Sequence, residues 1–247
     1  YIAVWLEARG KDLRNITLGL VPFAVLLGVI AGLVAVQPDF STAVLLVGTA
    51  TAMFFVAGAD IKQLLIGFLV GGVALALVAL AAGYRYVRIV DWWRGPLSDP
   101  RGGGFQTVQA LVALNRGHWL GVGFGQSEQK YAIYAPHSDC IFAIIGEELG
   151  FLGALAVIIL YALWTWRGLR IAFRAPDDYG MLLAVGLVSW VTLQAALHIS
   201  ALTALTPFTG TVLPFVSYGG SSLTSCLASV GILLNISQSR AEEGRQT

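Results

Sequence analysis

Charged residues are scarce in this sequence. Only 12% of the 247 residues are Asp, Glu, Lys or Arg, whereas 57% are hydrophobic and the mean hydropathy is +0.76. A soluble globular domain carries about 25% charged residues. Half that proportion, at this hydropathy, excludes a soluble domain and predicts an integral membrane protein. The formal net charge of +1 also argues against a nucleic-acid partner.

Cysteine and histidine are scarce as well. The two cysteines, Cys140 and Cys226, both fall in apolar segments, and the chain has three histidines. Two such cysteines provide neither a disulfide framework nor a CxxC metal pair, and no cluster has metal-ligand spacing. We therefore predict two buried thiols, no protein metal site, and a packed His198 rather than a metal ligand.

Long uncharged runs are abundant. The runs that suit one spanning helix of roughly 20 residues are 15–38, 40–59, 63–84 and 149–166, the last extended back to 140 through Glu147 and Glu148. The run 179–239 is too long for one helix, and Pro207, Gly210 and Pro214 divide it. We predict an all-α, polytopic membrane helix bundle with six full spans.

The start of the chain resembles the end of a further span. The opening "YIAVWLEARGK" has no initiator methionine and no signal-peptide n-region. It is typical of the last turns of a membrane helix entering a basic loop. We therefore expect residues 1–247 to be one membrane domain that has lost its N-terminal part, with Tyr1–Glu7 as the stub.

Basic residues predict the orientation. When successive spans alternate in direction, the short segments 1–17, 59–63, 167–178 and 239–247 all fall on one side of the membrane. These segments contain the basic residues Arg9, Lys11, Arg14, Lys62, Arg167, Arg170, Arg174, Arg240 and Arg245. The positive-inside rule places these segments, including a tail at 239–247, in the cytoplasm. The long segment 85–139, and Asp139 with it, is then extracytoplasmic.

The segment 85–139 is too long to be a structureless loop in a compact protein. Within it, Phe105, Val108, Leu111 and Val112 recur at helical spacing. We predict an amphipathic helix over 104–115 that lies on the outer surface or partly re-enters the membrane.

Asp139, Glu147 and Glu148 lie next to or inside an apolar run, where membrane proteins have few acidic residues. Asp139 comes just before a span, where it can cap the helix or act as a general base at the membrane surface. Glu147 and Glu148 lie inside the apolar run, where a bare carboxylate costs several kcal/mol. Adjacent helical positions point about 100° apart, so we do not expect both to bind one partner. At least one should bind a cation, a backbone donor or a ligand, or form a structural hydrogen bond between helices.

Other polar segments allow two interpretations each. Lys130 can bind a phosphate as a point charge or meet lipid headgroups at the surface. In "LPFVSYGGSSL", residues 213–223, the small and hydroxylated residues favour either close helix packing or an unwound, ligand-lining segment. In "VQPDFST", residues 36–42, we predict a turn and cap at Pro38 and Asp39, with Ser41 and Thr42 capping the next helix.

Four stretches, in order, resemble one family: "VQPDFSTA", "LVALNRGHWLGVGFGQSEQKY", "APHSDCIFAIIGEELG" and "PFTGTVLPFVSYGGSSL". Up to about residue 240 the chain is similar to the SEDS proteins (shape, elongation, division and sporulation), which include FtsW, RodA and SpoVE. Gly146 in "AIIGEELG" is more typical of FtsW than of RodA. The family fold has ten spans with both termini cytoplasmic, so the resemblance implies that about four spans are missing here.

The resemblance implies an enzyme of the bacterial plasma membrane. SEDS proteins are peptidoglycan glycosyltransferases that polymerise lipid II into β-1,4 glycan strands. Similarity to FtsW implies septal cell-wall synthesis in cell division, with a class B penicillin-binding protein, divisome proteins and membrane lipid as partners. A RodA-type role in elongation is the alternative within the family.

The resemblance also implies the site residues. The catalytic aspartate of the family corresponds to Asp139, as general base. The expected substrate-binding residues are Arg101, Gln129, Lys130, His137, Ser138, Ser217, Tyr218, Gly219, Gly220 and Ser221, while Glu147 and Glu148 are expected to be structural. The chain departs from the usual "HTDFIF" at Ser138, a mild change, and at Cys140, which removes an aromatic contact. Tyr134, Ala135 and Pro136 replace a common Pro-Glu-Ala, so no nearby glutamate assists Asp139.

The chemistry that the resemblance implies needs one base, because pyrophosphate leaves without protonation. This requirement for one base differs from glycoside hydrolysis, which uses a pair of carboxylates. Cations must meet the charge of the leaving group; we expect Lys130, arginines of the outer loop and a divalent Mg or Mn ion on the pyrophosphate. No organic cofactor is expected.

Two other functions remain open. A lipid II flippase would use intramembrane acids and a broken last span without bond chemistry, and a scaffold would only recruit the transpeptidase. Both predict that Asp139→Asn has little effect, whereas the enzyme hypothesis predicts loss of activity.

Overall fold

The computed structural model describes residues 1–37, 39–81, 89–90, 92–95 and 104–246. The helices with described bounds are α1 (Ile2–Arg9), α2 (Val21–Val36), α3 (Phe40–Val56), α4 (Ile61–Ala81), α5 (Phe105–Arg116), α6 (Ile141–Ala172), α7 (Asp178–Leu202) and α8 (Gly220–Gln246). A turn of π-helix, Ile16–Leu20, leads into α2. No strand occurs in these ranges, so the all-α prediction is confirmed.

Helix length and composition support a polytopic membrane protein. Within the described ranges, four helical segments are long and apolar enough to cross a membrane: Ile16–Val36, Ile141–Ala172, Asp178–Leu202 and Gly220–Ser239. Helix α3 has 17 residues, below the roughly 20 that a full span needs, and α4 has 21 residues. The count of six spans therefore stays a prediction. The predicted break of the run 179–239 is confirmed, because α7 ends at Leu202 and α8 begins at Gly220.

Helix α3 shows how the sequence sets a helix start. Asp39 precedes the helix, and its carboxylate accepts hydrogen bonds from the Thr42 backbone N–H at 3.0 Å and the Thr42 hydroxyl at 2.6 Å. This satisfies backbone donors that the first turn leaves unpaired. The predicted cap is therefore found at Asp39, with Thr42 as its partner. Pro38, the predicted turn residue, lies outside the described residues.

The described chain divides into two compact units. Unit 1 comprises residues 1–78, 164–193 and 225–247. Its core is built on the stacked rings of Phe23 and Phe54, whose centroids lie 4.4 Å apart. A side chain at Gly186 would meet the Met53 sulfur at 2.8 Å, which shows how closely α7 approaches α3. Small residues at such points allow helices to pack without a hydrophobic driving force in lipid.

Unit 2 comprises residues 79–163 and 194–224. Helix α5 lies where the spacing predicted a helix over 104–115, and it buries Ala110 and Ala113 completely. These two residues belong to one core with Phe142, Ala143 and Leu213. Alanine at i and i+3 leaves one face of α5 without bulk, so this helix can pack against the start of α6.

Helix α6 is interrupted at Gly150, which has φ 68° and ψ −167°. The interruption leaves carbonyl groups of the preceding turn without helical partners. The loop after α5 supplies donors for two of them: Val122 N–H binds the Glu147 carbonyl at 3.0 Å, and Gly123 N–H binds the Glu148 carbonyl at 3.1 Å. Backbone groups away from water need such partners.

The second half of α6 starts with the same loop. Phe151 N–H donates to the His118 carbonyl at 2.8 Å, and Leu152 N–H donates to the Trp119 carbonyl at 3.3 Å. The rings of Trp119 and Phe151 also meet edge to face, with centroids 5.2 Å apart. The loop therefore completes both halves of the broken helix.

Candidate functional site

Asp139 lies two residues before the start of α6 at Ile141. Its backbone N–H and that of Ser138 donate to the Ala135 carbonyl at 3.1 and 3.3 Å, which closes a turn. The Cys140 carbonyl accepts from Ala143 N–H at 3.0 Å and begins the helix. The Asp139 side chain is half-buried, and none of the hydrogen bonds of the described residues ends on its carboxylate. The structure therefore does not support the interpretation of Asp139 as a helix cap.

The segment 207–213 passes beside this carboxylate and has no regular secondary structure. Gly210 has φ +65°, and a Cβ atom there would lie 3.5 Å from Asp139 Oδ2. A side chain at Gly210 would strain the backbone, because this φ lies in the left-handed region. Its Cβ atom would make an ordinary van der Waals contact with Asp139.

Two side chains of α7, one helical turn apart, hold this irregular segment. The Gln194 amide donates to the Val212 carbonyl at 3.0 Å, and His198 Nδ1 lies 2.5 Å from the Thr211 carbonyl. Both side chains are buried. Because a carbonyl can only accept, His198 carries its proton on Nδ1. His198 is therefore packed, as predicted, and it also holds the irregular segment through its bond to Thr211, which sequence reasoning did not identify.

Ser217 connects the start of α8 to the Asp139 turn. Its hydroxyl donates to the Ser138 carbonyl at 2.6 Å and accepts from Leu213 N–H at 2.7 Å. Tyr218 N–H donates to the His137 carbonyl at 2.9 Å. The structure therefore brings four predicted site residues together through their backbone or hydroxyl groups, next to Asp139.

The side chains at this junction differ in exposure. His137 is exposed, and Tyr218 is 85% exposed. Ser221 is exposed in the first turn of α8, which Gly220 begins after Gly219. These side chains are accessible to a ligand, whereas the Ser217 hydroxyl is engaged in the connection. Arg101 lies outside the described residues.

Glu147 forms a second polar cluster. It is 1% exposed, and its carboxylate accepts hydrogen bonds from the Ser127 hydroxyl at 2.5 Å and from Glu128 N–H and Gln129 N–H at 3.3 Å each. Arg116 Nε lies 3.8 Å away. These donors offset the cost of burying the charge.

Glu148 binds the same segment. Its carboxylate accepts from Ser127 N–H at 3.3 Å and lies 3.9 Å from the Lys130 ammonium, which also donates to the Gly125 carbonyl at 2.5 Å. The expectation that the two glutamates do not share a partner is therefore wrong. Ser127 has two separate donors, and each binds one carboxylate.

Several residues of these clusters were missed by sequence reasoning. They are Arg116, Ser127, Glu128, Gln194, Gly210 and Thr211. The contacts that define the clusters join residues 12 or more positions apart in the chain, so no local periodicity reveals them. Only Gly210, between Pro207 and Pro214, carried a signal, as a helix breaker.

Cys140 is completely buried beside Asp139. Burial raises the pKa of the Cys140 thiol to about 12, and the negative charge of Asp139 adds to the increase. The thiol is therefore neutral, as expected of a small hydrophobic residue. Among the described residues, no three of His, Cys, Asp and Glu come together as a donor set for a metal ion.

These observations define a class: a polytopic helical membrane protein with a free carboxylate at the start of a span, beside an irregular segment. The family model for FtsW, RodA and SpoVE, described as "cell cycle protein", matches residues 1–242. The chain belongs to this family, which confirms the resemblance seen in the motifs.

Two relatives illustrate the similarity. The chain is 42% identical over 242 residues to stage V sporulation protein E of Bacillus subtilis, covering 96% of this chain and 65% of that protein. It is 40% identical to the "probable peptidoglycan glycosyltransferase FtsW" of Idiomarina loihiensis, covering 100% of this chain and 61% of that protein. The chain thus spans less than two thirds of the length of these relatives.

Solved structures share the fold. A chain from a study of how a peptidoglycan synthase complex coordinates polymerization and crosslinking matches with a TM-score of 0.77 at 25% identity, covering 97% of this chain and 66% of that chain. The rod shape determining protein RodA of Thermus thermophilus matches with a TM-score of 0.62 at 25% identity, covering 97% and 62%.

Proposed function

We propose that the protein containing this chain is a peptidoglycan glycosyltransferase that polymerises lipid II, with Asp139 as general base. The relatives named as peptidoglycan glycosyltransferases support the reaction. The observation that carries the role of Asp139 is a half-buried carboxylate without a hydrogen-bond donor among the described residues, next to Gly210 in an irregular segment. A carboxylate in this state is available to accept a proton from a ligand.

The proposed reaction joins two lipid-linked sugars. Asp139 takes the proton of the acceptor 4-hydroxyl while that oxygen attacks the anomeric carbon of the donor. The bond from this carbon to the pyrophosphate oxygen breaks, and the pyrophosphate leaves on its lipid with both electrons. One displacement inverts the anomeric centre and requires one base.

The leaving pyrophosphate needs cationic partners. The Lys130 ammonium group lies beside Glu148 and donates one hydrogen bond to the Gly125 carbonyl. It would bind the pyrophosphate with N–H donors that these contacts do not use. Arg101 is the other candidate. The described residues contain no donor set for a metal ion, so we assign no step of the reaction to a metal held by the protein. The predicted Mg or Mn ion would arrive bound to the pyrophosphate of the substrate.

The proposed cellular role is septal cell-wall synthesis in the bacterial plasma membrane. The distribution of basic residues supports an extracytoplasmic Asp139. We propose a class B penicillin-binding protein and divisome proteins as partners, supported by the similarity to a chain of a peptidoglycan synthase complex. A RodA-type role differs only in the partner and the place of synthesis.

A lipid II flippase is the second candidate. The break of α6 at Gly150 and the irregular segment 207–213 favour it, because discontinuous helices are typical of transporters. A flippase does not need a proton acceptor, so the two functions differ in their dependence on Asp139.

Polymerisation of lipid II by the full-length protein with its transpeptidase tests the proposal. The native protein should form glycan strands, Asp139→Asn should form none, and Asp12→Asn should be active, because Asp12 is exposed in a turn on the predicted cytoplasmic side. Folding of each variant is checked by size exclusion, and lipid II transport is measured in vesicles. Strand formation by folded Asp139→Asn would refute the role of Asp139, and transport without polymerisation by native protein would favour the flippase.

A further inference from the structure

Three arginines form a basic cluster near the end of α6 that the proposed reaction does not use. Arg167 and Arg170 lie three residues apart in α6 and therefore on one helical face, and Arg174 follows two residues after the helix ends. All three are exposed. The basic-residue distribution assigns this end of α6 to the cytoplasmic face, so the cluster is separate from the proposed active site.

The guanidinium groups are oriented by an aromatic ring. The Arg170 guanidinium carbon lies 4.4 Å from the centroid of Trp166, and that of Arg167 lies 5.6 Å from it. Cation–π contacts of this kind restrain a long side chain. Among the side chains that the structure describes, which in α8 end at Ser239, no carboxylate lies within 4.0 Å of any of the three guanidinium groups.

The arginines line a cavity together with α8. The cavity has a volume of about 240 Å³, and its other walls are Ile171, Ile236 and Ser237. The Ser237 hydroxyl already donates to the Leu234 carbonyl at 2.8 Å. The cavity thus combines three guanidinium groups with apolar walls, in a part of the chain predicted to lie at the membrane surface.

We propose that this cavity binds the phosphate group of an anionic membrane lipid. Arginine matches a phosphate with paired N–H donors, and Ile171 and Ile236 suit the adjoining apolar part of a lipid. These apolar walls favour a lipid over free phosphate as the source of the phosphate group. The general excess of basic residues at the cytoplasmic face explains charge at this end of α6, but it does not explain a cavity.

Lipid retention tests the proposal. The full-length protein is placed in nanodiscs of phosphatidylglycerol and phosphatidylcholine, and the lipid that stays bound is measured by native mass spectrometry. Arg170→Gln with Arg174→Gln should reduce retained phosphatidylglycerol roughly tenfold or more, since each charge-assisted hydrogen bond to a phosphate that is lost corresponds to about tenfold. The matched control is Arg14→Gln with Lys62→Gln, which removes two exposed charges from the same predicted side.

A second variant tests the cavity without changing the charge. Ser237→Phe should fill the space and reduce retention while all three arginines remain. Equal losses in the control pair would overturn the proposal, since surface charge alone would then account for binding. Unchanged retention in Ser237→Phe would also overturn it. Displacement of phosphatidylglycerol by inorganic phosphate at similar concentration would overturn the assignment to a lipid.

Discussion

His198 Nδ1 lies 2.5 Å from the carbonyl oxygen of Thr211. This bond joins a buried residue of α7 to a segment without helical hydrogen bonds, next to Asp139. In a membrane such a segment persists only where side chains satisfy its backbone. The shape of the proposed active site therefore depends on a residue that need not touch the substrate.

His198→Ala should destabilise the protein. It removes the donor to the Thr211 carbonyl and leaves that acceptor buried and unpaired, at an expected cost of about 1–3 kcal/mol. Thermal unfolding in detergent measures the loss. Tyr179→Ala, which truncates a larger ring near the exposed start of α7, should cost less. An equal loss of thermal stability in both variants would contradict the prediction that this hydrogen bond stabilises the fold.

Glu147→Gln should be more damaging than Glu128→Gln. Both carboxylates pair with Arg116, but Glu147 is 1% exposed whereas the Glu128 side chain is 72% exposed. Replacing Glu147 weakens charge-assisted bonds to Ser127 and two backbone amides, for an expected loss of about 1–3 kcal/mol. The exposed pair should contribute below about 1 kcal/mol. Urea unfolding of the two variants compares them, and similar midpoints would contradict the prediction.

Gly117→Ala should strongly disturb the junction between α5 and α6. A Cβ atom there would overlap the carbonyl oxygen of Gly146, and backbone cannot move aside as a side chain can. We expect a loss of about 3 kcal/mol or misfolding. Gly28→Ala is the control, because nothing lies within 4 Å of a Cβ at that helical position, and it should be neutral or slightly stabilising. A stable Gly117→Ala variant would mean that the close contact is absent.

Cys140 should resist alkylation in the folded protein. Its thiol pKa of about 12, against 9.0 for an ordinary thiol, lowers the thiolate fraction at pH 8 by about a thousandfold. Below pH 12 the rate should rise by about tenfold per pH unit, as the thiolate fraction does. Iodoacetamide labelling of a Cys226→Ser variant, folded and in denaturant, measures the difference. Rapid labelling of folded protein at pH 8 would show that the thiol is neither buried nor protonated.

Short-range features of the sequence predicted much of the fold. The break between α7 and α8 follows from Pro207 and Pro214, and α5 follows from the helical spacing that begins at Phe105. The interruption of α6 was not predicted, although Gly150 stands at it. Glycine is common in membrane helices, so its presence alone does not distinguish a break from close packing.

The sequence by itself determined the membrane class, the positions of most helices, the family and the identity of Asp139 as the leading candidate base. These depend on composition, on periodicity and on motifs, which are properties of neighbouring residues. Only the tertiary structure decided that Asp139 does not cap α6, that Glu147 and Glu148 share Ser127, and that His198 holds the segment beside Gly210. These relationships join residues far apart in the chain, and a hydrogen bond depends on the distance between two atoms in the folded molecule.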